Sequence, residues 1–149
     1  MSALEIRQAG IADVGAVAHL FDQYRQFYAQ APNIELATQF IGERMAKQES
    51  VILVAENASE IVGFCQLYPT FCSVEAAKIA ILYDLFVTQS ARKTGLGSAL
   101  MLAARAYAKT QSFVRLDLST AKTNVNAQAL YETLGWTRDE AFYHYSLAL

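Results

Sequence analysis

Hydrophobic positions recur at two spacings along the chain, and the switch from one to the other predicts its elements. Leu4 and Ile6 alternate with Glu5 and Arg7, as in a short strand with one buried face. Asp13 then favours a helix start, and Val14, Val17, Phe21, Tyr24 and Tyr28 follow at three- and four-residue steps on one helical face. Pro32 and Asn33 break that helix and open a second, carried inward by Leu36, Phe40 and Ile41. Val51 to Ala55 is a continuous apolar run, ENASE is turn material, and Ile61 to Phe71 is strand-like until Pro69 interrupts it, which predicts a hairpin. Lys78 to Val87 reads as the next strand, pairing back on the last. Leu96, Ala99, Leu100, Ala103 and Tyr107 form a helical stripe with Arg105 and Lys109 toward water. Phe113 to Leu118 is a further strand, parallel to the preceding one because a crossover helix separates them. Asn124 to Leu134 reads as a helix stopped by Gly135, and the tail AFYHYSLAL alternates as a closing strand would.

The densest chemistry lies where the run ILYDLFV gives way to TQSARKTGLG and then to the helical SALMLAARAYAK. A strand there feeds a loop that feeds a helix. Gly95 accepts a positive φ without steric cost, and Gly97 has no side chain to hold a ligand off the backbone. The first N–H groups of the helix beginning near Leu96 lack carbonyl partners, and the aligned peptide dipoles put positive potential at that end. The loop is therefore an anion cradle suited to phosphate or pyrophosphate. A dinucleotide fingerprint would need a third glycine where Leu100 stands, and a Walker loop would need Lys and Ser/Thr where Ser98 and Ala99 stand. Both nucleotide motifs fail.

What remains is Arg92-x-x-Gly95-x-Gly97 after a strand that contains Asp84. This resembles the acetyl-CoA pyrophosphate loop of the GNAT superfamily of N-acetyltransferases, whose signature is Gln/Arg-x-x-Gly-x-Gly/Ala. Asn124, Ala127, Leu130, Tyr131 and Gly135-Trp136 are similar to that family's second block, with Trp for Phe. The resemblance implies an α/β (α+β) fold: a mixed, mostly antiparallel sheet with a central, splayed parallel strand pair, flanked by about four helices. It implies acetyl-CoA as cosubstrate, no metal, and direct transfer of the acetyl group to a primary amine of a small molecule or peptide. The pantetheine arm would lie along Tyr83 to Val87, and the cofactor-binding set would be Leu85, Phe86, Val87, Arg92, Lys93, Thr94, Gly95, Leu96, Gly97, Ser98, Asn124 and Tyr131. The N–H groups of Phe86 and Val87 are candidates to polarise the thioester carbonyl. Tyr131 occupies the family's position for the acid that protonates the departing thiolate.

The residues themselves leave alternatives open. Arg92 and Lys93 can also be read as a solvated surface, Asn124 as the cap of its own helix, and Tyr131 as a core residue. An amine of pKa about 10 must lose a proton before attack, and Asp84, an acid inside an apolar strand, is the nearest candidate base. A structural carboxylate explains it as well. The polyamine-acetylating relatives have an acidic residue before that aspartate, but Tyr83 stands here, so proton removal through Asp84, Tyr83 or water stays open. Tyr24, Tyr28, Gln66 and Tyr83 are candidate acceptor contacts, and Glu35, Glu75 and Tyr68 could also meet a cationic substrate. The cluster Phe142, Tyr143 and Tyr145 would pack the core, line the acceptor site or form a homodimer surface.

Composition narrows the setting. The 149 residues are 54% hydrophobic and 17% charged, as expected of one folded domain over residues 1–149. A net charge of −2 without a run of Lys or Arg excludes a nucleic-acid footprint. The N-terminal MSALEIRQAG has no apolar signal core and no stretch is long enough to span a bilayer, so a cytoplasmic location without membrane partners is expected. Cys65 and Cys72 lack metal-ligand company and read as reduced, apolar residues. The alternative to an enzyme is a non-catalytic acyl-CoA-binding sensor module.

Overall fold

The computed structural model describes residues 4–149. The chain divides into two compact units, Met1–Ser119 and Thr120–Leu149. In the first, the strands β1 (Leu4–Gln8), β2 (Val51–Asn57), β3 (Glu60–Cys72), β4 (Ala77–Val87) and β5 (Leu116–Asp117) lie in the order β1-β2-β3-β4-β5. Its helices are α1 (Val14–Phe27), α2 (Ile34–Ala46) and α3 (Leu96–Thr110). The first three strand pairings are antiparallel and β4 with β5 is parallel, so the parallel pair stands at one end of this sheet.

A polar staple fixes the entry to α1. Arg7 of β1 donates to both oxygens of Asp13, at 2.8 and 2.9 Å, and Asp13 also accepts the Gly10 N–H at 2.7 Å. With the Arg7 guanidinium beside it, the Asp13 carboxyl is held down to about 2. The helical stripe then does what its spacing dictates: Val17, Ala18 and Phe21 of α1 meet Ala37 and Ile41 of α2, over Ile52, Val54, Phe64 and Phe86 of the sheet. Phe21 stacks on Phe40 with centroids 5.4 Å apart. In α2 the inward place expected for Leu36 goes to Ala37, and Leu36 is exposed. Asn33 caps that helix, accepting the Leu36 N–H at 3.1 Å.

Pro69 does not end β3. The ladder to β2 stops at the Val51–Leu67 pair, whereas Pro69 stands opposite Ala80 of β4. Beyond Leu67 one edge of β3 has no partner in β2, so a residue without an N–H is tolerated there. The register of β3 with β4 slips once, from Gln66↔Asp84 to Leu67↔Leu82, which leaves Tyr83 as the extra residue of a bulge.

Two expected strands differ. The strand expected over Phe113 to Leu118 shrinks to Leu116–Asp117, although the Val114 N–H still reaches Lys78 O at 2.9 Å and Arg115 O accepts from Ala80 at 3.2 Å. In the second unit α4 (Val125–Thr133) forms as expected, but residues 137–149 hold no strand. That unit contains one helix and no ladder to receive the tail's backbone groups, and Phe142, Tyr143 and Tyr145 are exposed. Gly135, at φ 92°, ends α4: its N–H reaches Glu132 O and the Trp136 N–H reaches Tyr131 O, a Schellman closure. No helix among the described residues is long and apolar enough to cross a membrane.

Candidate active site

Among the described residues β4 pairs with β5 only at Ala80↔Leu116 and Ile81↔Asp117, and from Leu82 to Val87 its outer edge has no strand beside it. The Thr88 N–H donates to Val62 O at 2.9 Å, and antiparallel alternation then turns the N–H groups of Phe86 and Asp84 toward β3. Those of Leu85 and Val87 face the unpaired edge. The bulge at Tyr83 sets this parity, since Ala80, on the far side of it, donates to Arg115 O beside β5. Were β4 regular through Tyr83, Phe86 would face outward.

The loop after β4 keeps the expected shape. Gly95 is left-handed at φ 84°, and nothing lies within 4 Å of where its Cβ would be. The first helical bond of α3 runs from Ala99 N to Gly95 O at 3.0 Å, so the N–H groups of Leu96, Gly97 and Ser98 precede the helical ladder. Arg92 is anchored: its Nε donates to Val87 O at 3.0 Å and its guanidinium lies 5.4 Å over the Phe86 ring. Lys93 is itself left-handed, at φ 62°. Thr94 bonds Ala91 O through its hydroxyl. Free amides at a helix N-terminus, one fixed cation and an open glycine position suit a diphosphate. A cleft of about 330 Å³ borders the same loop at Ser90, Ala91, Thr94 and Leu96, and reaches Glu60 and Asn57 of the β2–β3 turn.

Asp84 lies inside, 4% exposed, and burial raises its pKa, partly offset by hydrogen bonds from Gln66 and Tyr24. Four of the candidate acceptor residues gather around it. Tyr24 on α1 donates to Tyr83 O at 3.3 Å, and its ring lies 5.1 Å from Tyr28. Burial first, then the charge of Asp84, pushes the Tyr24 phenol well above its ordinary range. Tyr83 is 64% exposed and meets Tyr68 edge to face at 5.6 Å, and burial pushes the Tyr68 phenol up to about 12. Gln66 is fully buried, and its amide serves Asp84 and Ser50. Sequence reasoning passed over Ser50 and Gly63. No motif marks Ser50, and Gly63 carries a signal only in being a glycine inside an apolar strand.

In the second unit, Asn124 caps α4 by accepting the Ala127 N–H at 3.4 Å. Tyr131 sits two turns further on, its ring 6.3 Å from Trp136. No group of three or more His, Cys, Asp or Glu among the described residues could hold a metal ion.

Known proteins match this arrangement. The family model for the acetyltransferase (GNAT) family matches residues 16–136. An uncharacterized N-acetyltransferase of Bacillus subtilis, YhfO, is 46% identical over 144 residues, covering 97% of both chains. A probable acetyltransferase of Haemophilus influenzae is 33% identical, over 77% of this chain and 75% of its own. The crystal structure of a probable acetyltransferase superposes with a TM-score of 0.91 at 35% identity, covering 97% of each chain. An aminoglycoside N-acetyltransferase in complex with CoA shares the fold, with a TM-score of 0.84 at 16% identity over 100% of this chain and 97% of that one. A glycine loop between a strand with one free edge and a helix, both family-like blocks in order, and relatives aligned nearly end to end converge: the chain belongs to the GNAT family of acetyl-CoA-dependent acetyltransferases.

Proposed function

We propose that residues 1–149 form one N-acetyltransferase domain that passes the acetyl group of acetyl-CoA directly to the primary amine of a small molecule or peptide, without a covalent enzyme intermediate. The single observation that carries the reading is the loop from Arg92 to Ser98, whose open left-handed glycine and helix N-terminus follow directly from a strand with free outward amides. In this reading the diphosphate binds at the loop, and the Leu85 and Val87 N–H groups receive the acyl arm. That moves one carbonyl-polarising role from Phe86 to Leu85, because the Phe86 N–H is turned to β3.

The acceptor arrives as an ammonium among Tyr24, Tyr28 and Tyr83, where a buried carboxylate without an ion pair among the described residues favours a cation. Asp84 takes one proton from it, and the free amine attacks the thioester carbonyl. As the C–S bond breaks, the proton shed by the new amide nitrogen replaces the one that Tyr131 gives to the thiolate. The Tyr131 assignment rests on its place in the family's second block. Thiol release with a panel of polyamines, amino acids, aminoglycosides and peptide amines tests the reading. The expected result is acceptor-dependent CoA release that falls at least about 10²-fold in Tyr131→Phe with acetyl-CoA binding retained. Acetyl-CoA binding with no release above background for any amine would favour the sensor module instead.

A further inference from the structure

Three elements contribute to one hydrogen-bonded line. The Ser50 hydroxyl, just before β2, donates to Oε1 of Gln66 on β3 at 2.7 Å, and Nε2 of Gln66 donates to Oδ2 of Asp84 on β4 at 2.7 Å. Gln66 is wholly buried and Ser50 only partly so. An amide has a donor end and an acceptor end, and Ser50, by occupying the acceptor end, leaves the donor end to Asp84. A donor facing a carboxylate favours its ionised form, and here it opposes burial, which favours the neutral one.

Little else near Asp84 can perform that task. Tyr68 faces it from β3 and Tyr24 from α1 with Tyr28 behind it, Tyr83 belongs to the same strand, and Cys65, whose thiol turns to Leu100 O on the other face of β3, feels only its charge. Burial pushes the Cys65 thiol up to about 12, and it raises the Tyr24 and Tyr68 phenols, so these three are neutral at ordinary pH. Arg44 of α2 acts on Tyr68. The protonation of Asp84 is therefore decided between its burial and the donors that face it, the Gln66 amide first and the Tyr24 hydroxyl second.

We infer that Ser50 and Gln66 are positioning residues that hold Asp84 ionised and aimed to take the proton of the acceptor amine, and that the Gln66 amide reverses once Asp84 is protonated. The inference rests on Asp84 being the proton acceptor. When the ammonium N–H bond breaks and the carboxyl O–H bond forms, Asp84 becomes a donor, and Nε2 facing it would oppose donor to donor. Turning the amide presents Oε1 to the acid and Nε2 to Ser50, whose hydroxyl accepts as readily as it donates. Loss of the proton to solvent resets the line. A serine at position 50 suits both states, where an alanine serves neither.

The test is a carbon-13 titration of the side-chain carboxyls in the full chain, with Asp84→Asn identifying the Asp84 signal. The midpoint is expected to move to higher pH in Gln66→Met, to move the same way by less in Ser50→Ala, and to return toward wild type in Ser50→Thr. Should Gln66→Met fail to fold, Ser50→Ala against Ser50→Thr decides alone. An Asp84 midpoint unchanged in Ser50→Ala, with Gln66→Met either unchanged or unfolded, would overturn the inference. The base assignment fails separately: Asp84→Asn that acetylates an identified amine at the wild-type rate removes Asp84 from proton transfer, whatever the titration shows.

Discussion

A methyl group at Gly63 would lie 3.2 Å from the carbonyl oxygen of Phe86 and 3.3 Å from Cδ1 of Leu100. The first neighbour is backbone of β4 and cannot turn away, while the second is the tip of a flexible side chain on α3. Glycine at this place lets β3 and α3 close on β4, the strand that carries Leu85 and Val87. Gly63→Val is expected to destabilise the fold by about 1–3 kcal/mol through overpacking, with Gly63→Ala nearer the low end. Denaturant unfolding measures it, and unchanged midpoints in both variants would contradict the close packing.

The loop glycines separate strain from obstruction. Gly95 is at φ 84° with open space around it, so Gly95→Ala meets no atom but must hold a left-handed backbone, at a cost of about 1–2 kcal/mol. Gly97→Glu instead adds a side chain and a negative charge beside the free helix amides. Calorimetric titration with CoA is expected to show modest weakening for Gly95→Ala and loss of binding for Gly97→Glu. Equal affinity in Gly97→Glu would remove the diphosphate from this loop.

How legible these features were in the sequence depended on whether local chemistry alone specified them. The β4–loop–α3 junction was readable because its signals, an apolar run rich in strand-forming residues and two spaced glycines, are local. The same holds for Asn33, Asn124 and Gly135, each of which marks a helix end by its own side chain or its lack of one. Pro69 was misread as an interruption because its tolerance depends on where β2 ends, a property of a different strand. The bulge at Tyr83 exchanged the outward N–H of Phe86 for that of Leu85, and no pattern in ILYDLFV announces which residue is the extra one. Gln66 stood only as a candidate acceptor contact, and its bond to Asp84, 18 positions away on the neighbouring strand, is a relation that no local pattern carries.

Asp13 predicts an acid limit to stability. Its carboxyl is held at about 2 against an ordinary 3.8, chiefly by the hydrogen bonds from Arg7. A depressed folded pKa means that the contribution is complete above about pH 4 and is lost as pH falls toward 2. The shift corresponds to about 2 kcal/mol, Asp13 being mostly shielded from solvent in this pair. Asp13→Asn should therefore be less stable than wild type by about that amount at pH 7, with the gap closing between pH 4 and pH 2. Urea unfolding across that range measures it, and a gap independent of pH would assign the cost to something other than the ion pair.

Asp84 carries the opposite sign. Its folded pKa is raised by burial, so its contribution to stability is fully present below the unfolded value near 3.9 and is lost as pH rises through the folded value. Above that folded value the ionised carboxylate is a destabilising group, its charge offset in part by Gln66 and Tyr24. Asp84→Asn removes the charge while keeping an oxygen able to accept from Gln66 Nε2. The variant is expected to melt higher than wild type at pH 7.5, with the difference disappearing toward pH 4. If Asp84 accepts the proton of the amine, the same substitution should slow turnover of an identified acceptor by about 10²–10⁴-fold. A purely structural aspartate predicts the reverse pairing, a lower melting temperature and turnover that follows the amount of folded enzyme. Measured together, melting curves at the two pH values and steady-state rates decide whether this position is kept for the fold or at its expense.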